Sequence, residues 1–253
     1  TLFRSGFKLW VDQTLSSSFS SLVQSPHGMA LALRAYGMHL FEQGFPRYLY
    51  VYAITGIQNL HPHVRPYMSP AWQVDRRWQL HEPGECRPVL SAPVLRAITT
   101  LALLWGWKVW LAITLIGFSG MLHPGEFLNL VRQDLVFPRD AMVDSRVMYV
   151  HLRNPKTARF ARRQHCRIDD PLMIQFLESV FGRLKLSAKL YDGSAYSYRR
   201  QWDSIMQKLE IPFSQSQKGV TPGVLRGSGA THMYLCTEDI SRIAWRGRWT
   251  KLK

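Results

Sequence analysis

The sequence predicts a mainly α-helical protein in two domains, the second of α+β type with one small antiparallel sheet. Three observations predict it. Apolar residues recur at helical spacing over most of the chain. Residues 143–168 depart from that pattern and read as β-branched and aromatic strands around an Asn-Pro turn. A proline- and glycine-rich run, HEPGECRPVLSAP at 81–93, separates two segments of different character.

Taken in order, residues 1–25 are rich in Ser and Phe and are expected to be loosely ordered. A helical domain follows over 26–80. Its first helix carries Leu31, Leu33, Tyr36, Leu40 and Phe41 and stops at Gly44 and Pro46. A second spans Tyr48 to Leu60, and a third, around Pro70 to Leu80, carries Trp72 and Trp78. Residues 81–93 are the linker, and 94–253 form the second domain. There, Pro93 to Phe118 is long and apolar, and Glu126 to Val131 continues as a helix that Asp134 to Pro138 leaves. The segment VMYVHLR and the returning ARFARRQHCRI form a hairpin. Residues 171–186 and 198–209 are helical, and Thr221 opens another helix. No internal repeat is evident.

Composition narrows the function. With 46% hydrophobic and 19% charged residues the chain is globular and not disordered. There are 32 Lys and Arg against 17 Asp and Glu, a formal net charge of +15. That excess suits a polyanionic partner, nucleic acid or an acidic membrane face; the plain alternative is a basic protein with no such partner. Residues 98–122 are long and apolar enough to raise a membrane-associated reading. Lys108, near their middle, would cost about 2.5–3.5 kcal/mol in a bilayer, so a helix pair in a soluble core fits better. Cys86, Cys166 and Cys236 are far apart, with no CxxC pair, so neither a zinc site nor a disulfide framework is indicated. The start, TLFRSGFKLWVDQ, lacks the pattern of a signal peptide. An intracellular protein is expected, nuclear in a eukaryote.

Four stretches could carry chemistry, and each also has an ordinary reading. In SGMLHPGEFLNL, Glu126 sits three residues after His123 at a helix start, which is also how a helix cap looks. Arg146 to Arg167 holds six arginines and Lys156 with no acid between them. Arg153, Arg159, Arg162 and Arg163 are there candidate phosphate contacts, or simply a solvated basic hairpin. In VTPGVLRGSGATH, Arg226 opens a helix among small residues, a place where a DNA backbone could approach a guanidinium fork. WRGRWTKLK is basic and aromatic together, with Arg246 and Arg248 as further DNA candidates.

In this order the four stretches resemble the catalytic domain of the tyrosine recombinases (the phage-integrase family), in particular its divergent eukaryotic, transposon-borne, crypton-like branch. Glu126 matches the acid of the first box and Lys156, in NPKT, the hairpin lysine. TPGVLRGSGATH matches the second box, with Arg226 its arginine, and Trp249 in RGRW falls at the His/Trp position. The stretch ALRAYGMHLFEQG and the Trp72/Trp78 segment look like the family's helical core-binding domain. Three positions depart. His123 stands where the first-box arginine belongs, Gly223 stands at the second-box histidine, and the tyrosine nucleophile would fall beyond Lys253.

The resemblance implies a DNA-binding, integrase-like protein for DNA recombination and integration, descended from a DNA breaking-and-rejoining enzyme. The family's tyrosine attacks a backbone phosphate, two arginine forks stabilise the transition state, and a lysine or histidine manages protons. Arg226, Lys156, Trp249, Glu126 and, as a partial substitute, His123 would form the catalytic set. Double-stranded DNA is the implied partner, clamped between the two domains, with self-assembly on DNA; no cofactor, metal or membrane is implied. With three departures, residues 1–253 are expected to be catalytically silent. The competing expectation is a non-enzymatic DNA-binding protein derived from a mobile element.

Overall fold

The structure, a computed structural model, describes residues 2–15, 18–83, 88–141, 146–153, 155, 164–214 and 219–249, the side chains of 2–5 excepted. It is mainly α with one small antiparallel sheet, and the chain divides into two compact units, Thr1–Cys86 and Arg87–Lys253.

The first unit holds helices α1 (Leu2–Thr14), α2 (Phe19–Gln24), α3 (Pro26–Glu42), α4 (Arg47–Leu60) and α5 (Ser69–His81), with a 3-10 turn over Pro62–Tyr67. Ser18 and Ser25 cap α2 and α3 by accepting N–H groups of the first turn. The loosely ordered start does not hold: residues 2–14 are helical, and Phe7 and Val11 are fully buried beside Tyr36 and Phe19. Their spacing of four puts them on one face, a signal that the neighbouring serines hid. Tyr50 lies in the same core and donates its hydroxyl to Ala71 O at 2.9 Å. Burial, Asp75 and, in the opposite sense, Arg34 set its pKa, which is raised overall.

The second unit opens with α6 (Ala92–Leu104) and α7 (Lys108–Ser119), the helix pair expected in the apolar stretch. α7 is buried on nearly every face, from Trp110 to Phe118, which is why 98–122 reads as membrane-like. Lys108 escapes burial because it stands exposed where the two helices turn. Among the described residues, no helix is long and apolar enough to cross a membrane. The expected linker is partly packed: Leu90 is buried and its N–H donates to Ser228 Oγ at 2.9 Å.

The short helix α8 (Pro124–Phe127) follows, and Glu126–Val131 does not continue it. The backbone is drawn away instead, because Leu130 O accepts from Leu190 N and Arg132 N donates to Ala188 O. Next come β1 (Leu135–Val136), β2 (Met148–Leu152) and β3 (Gln164–Ile168), antiparallel in the order β1-β2-β3 with Val150 opposite Cys166. Met148, Val150 and Leu152 alternate inward, as period two requires. Helices α9 (Pro171–Phe181), α10 (Ala195–Lys208), α11 (Leu225–Thr237) and α12 (Ile240–Gly247) complete the unit. Trp110 and Trp202 sit at its centre with their indole N–H groups satisfied by Tyr198 O and Val220 O.

Candidate functional site

The carboxylate of Glu126 is the meeting point of three distant segments. It stands in the first turn of α8, where its Oε2 accepts the backbone N–H of His123 at 2.9 Å. This is half of a capping box, so the local sequence HPGE fixes the carboxylate in place. The same oxygen accepts from Nη2 of Arg248 at 3.1 Å and lies 3.9 Å from Nη1 of Arg226. The side chains of Glu126, Arg248 and Arg226 are 9%, 9% and 14% exposed, so these charges interact with little solvent between them.

Arg226 enters from the first turn of α11. Nη1 donates to Met121 O at 3.1 Å and Nη2 to Gly247 O at 2.6 Å. Its guanidinium lies 5.3 Å from the ring of Trp249, a cation–π contact. Burial first, and then the charge of Arg248, lower its pKa against the opposing pull of Glu126. Gly247 lets the indole come this close: a Cβ there would meet the ring at 2.8 Å. His123, Glu126, Arg226 and Trp249 therefore share one locality, across 126 residues of sequence.

The small residues around Arg226 have another purpose than the one expected. Ser228 and Gly229 are buried, Ser228 accepting the Leu90 N–H, and a Cβ on Gly229 would stand 2.0 Å from Phe118 O. Gly229 lets α11 and α7 touch, whereas Gly227 faces open space.

The basic candidates separate. Arg153 pairs with Asp134 at 2.7 Å and lines, with Glu126, Asn129 and Leu152, a pocket of about 280 Å³. It stays partly exposed, at the side of the site where the hairpin begins. Lys156, Arg159, Arg162 and Arg163 lie outside the described residues. Arg246, expected to contact DNA, is instead buried: it donates to the Asp169 carboxylate and to Arg167 O, tying α12 to the end of β3. Arg248, expected on the same outer surface, also turns inward, onto Glu126. Helix α12 carries a residue every 100° or so, and Arg246 and Arg248 differ further because Arg248 leaves the helix with φ at 57°. Sequence reasoning placed Arg248 among the surface cations and missed its pairing with Glu126; no spacing rule signals a contact over 122 residues.

Cys166 lies on β3 beneath this site. Burial, against the opposing influence of Arg248, pushes its thiol up to about 12, so it stays protonated and inert. Among the described residues, no group of three or more His, Cys, Asp and Glu side chains could hold a metal ion.

No protein-family model matches the sequence, and no curated protein matches it. Solved structures do. The Tn1549 transposon integrase, in complex with circular intermediate DNA, superimposes with a TM-score of 0.56 at 12% identity, over 99% of this chain and 92% of that one. A variant of that integrase in complex with transposon right end DNA matches equally, at 0.56 and 12%, over 98% and 92%. XerA recombinase superimposes at 0.49 with 15% identity, over 99% and 90%. At 12% identity the likeness is one of fold: this chain shares the architecture of the Tn1549 integrase.

Proposed function

We propose that this chain is a DNA-binding protein of the tyrosine recombinase type, from a mobile element, whose own strand-transfer chemistry is impaired. One observation carries the reading: Glu126 holds Arg226, Arg248 and the backbone of His123 together, with Trp249 against Arg226. A buried cluster in which two guanidiniums face one carboxylate keeps a positive excess, the condition for gripping a phosphate. The DNA in the Tn1549 integrase structures supports the same partner.

Arg226 is the phosphate fork in this reading, held in orientation by Met121 O and Gly247 O. Lys156 would serve the leaving oxygen as proton donor. His123 is the weak point. An imidazole is largely neutral at pH 7 and offers no planar fork, so it stabilises a pentavalent phosphate less than arginine does. The runner-up, a purely DNA-binding role, is favoured by how fully Arg226 is engaged by backbone carbonyls.

Two measurements test this. Fluorescence anisotropy against unrelated duplexes should give an affinity falling with salt at a log–log slope of roughly −4 or steeper; a flat response would remove the DNA reading. On a nicked suicide duplex, residues 1–253 should yield no denaturation-resistant protein–DNA band. Should a band form, the impaired-chemistry reading fails, and Tyr234, 45% exposed on α11, is the first residue to change to Phe.

A further inference from the structure

The charges at Glu126 do not balance, and one donor among them has nothing to bind. Two guanidiniums, both permanently protonated at neutral pH, share a single carboxylate in a place nearly closed to water. Nη2 of Arg248 reaches Glu126, but its Nη1 is buried and has no hydrogen-bond partner among the described residues. A buried charged donor left unmet is strongly unfavourable unless something bound there meets it. The backbone adds a second observation. Arg248 terminates α12 in the left-handed region, φ 57° and ψ 42°, where glycine is the unstrained choice. A long cationic side chain occupies that strained position and is directed at Glu126 instead of solvent.

We propose that Arg248 is the second phosphate-binding guanidinium of this site, donating from Nη1 to a DNA phosphate held beside Arg226. The inference rests on the DNA-binding reading above and adds to it the residue that completes the clamp. Glu126 then has a positioning role, holding two cations close that would otherwise repel. The geometry also relates Arg248 to position 123. The His123 backbone N–H meets the same Oε2 at 2.9 Å, so a side chain at 123 starts beside the carboxylate that Arg248 reaches from the end of α12. Nη1 is buried, so a phosphate meets it only when the groups over it give way.

The experiment is duplex-DNA anisotropy across a salt series with the full chain, its Arg248→Gln and Arg248→Lys variants, and each combined with His123→Arg. Thermal melting is measured alongside. Arg248→Gln should weaken binding about tenfold at fixed salt and make the salt slope shallower by about one. His123→Arg in that background should restore both, because a new guanidinium then starts beside the same carboxylate. A merely structural Arg248 would lower the melting temperature, leave the slope unchanged and gain nothing from His123→Arg; that result overturns the inference. Where Arg248→Gln fails to fold, Arg248→Lys carries the test. It keeps a cation against Glu126 and removes the fork, so the slope should hold while affinity drops several-fold and recovers with His123→Arg; unchanged affinity overturns the proposal. A flat salt response from the unsubstituted chain sinks the DNA reading itself, whereas salt-dependent binding indifferent to Arg248 sinks this inference alone.

Discussion

Asp169 shows what the basic excess is used for inside the protein. Arg167 donates to it at 2.6 Å, Arg246 reaches it from α12, and Arg242 stands 3.9 Å away. Burial by itself would raise its pKa, but the hydrogen bonds from Arg246 and Arg167 outweigh that, and the carboxyl titrates below its ordinary value. The sign of the pH effect follows. A depressed carboxylate contributes its full stability above the unfolded value of about 3.9 and loses it as pH falls through the folded value. Asp169→Asn should therefore cost about 2 kcal/mol at pH 7, less than the ~3–5 kcal/mol of a fully buried pair because Asp169 keeps some solvent. Urea midpoints measured from pH 6 down to pH 2 should converge for the two proteins at the acid end; parallel curves would show that Asp169 does not titrate with folding. Sequence could not have separated these arginines. In WRGRW, Arg246 and Arg248 look alike, yet one is bonded to Asp169 and the other to Glu126, because a helix end falls between them. His123, Glu126, Arg226 and Trp249 were legible as a group only through the family resemblance, which supplies the long-range proximity that local pattern lacks.

At the scale of elements, the tightest fit is where α11 crosses α7. The backbone of Phe118 occupies the space a side chain on Gly229 would need, at 2.0 Å from the ideal Cβ. Carbonyl oxygen in a buried helix cannot shift without moving the helix, so Gly229→Ala should destabilise by about 3 kcal/mol. Gly227, two residues earlier on the same helix, faces open space and is exposed. There alanine should be neutral or stabilising by about 0.5–1 kcal/mol through helix propensity. Denaturant midpoints for the two variants check the contrast, and equal losses would mean that propensity, not the crossing, decides. Elements with strong periodicity were readable: α3, α4, α6, α7, α9 and α10 all overlap the expected helical segments, α10 beginning three residues before Tyr198. What failed were short elements governed by contacts far away in sequence. The segment after Phe127 was expected to be helical and is not, since residues 186–190 take its backbone hydrogen bonds. Residues 2–14 were expected to be loose and form a helix, because Phe7 and Val11 find partners on α3 and α2.

Over the whole molecule the charge is unevenly shared. The unit Thr1–Cys86 holds 7 basic and 5 acidic residues, a net of +2, and Arg87–Lys253 holds 25 and 12, a net of +13. The basic excess is thus concentrated on the unit that carries Arg226. Not all of that charge is available to DNA, and the structure says which part is not. Arg132 and Arg246 are buried in ion pairs with Asp140 and Asp169, so neither can release counterions from a duplex. The stretch from Arg153 to Arg163 contains four arginines and Lys156 without an acid between them. Each that neutralises a phosphate adds about 0.9 to the salt slope of binding. Replacing Arg159, Arg162 and Arg163 together with glutamine should make the slope shallower by about 3. Affinity should then fall steeply at low salt, with the melting temperature measured alongside as the control for folding. Arg246→Gln is the matched control with the reverse expectation: a lower melting temperature, from the loss of the Asp169 pair, and an unchanged slope. If the triple replacement leaves the slope intact, the hairpin does not meet phosphate, and the duplex must be held by other cations of the same unit.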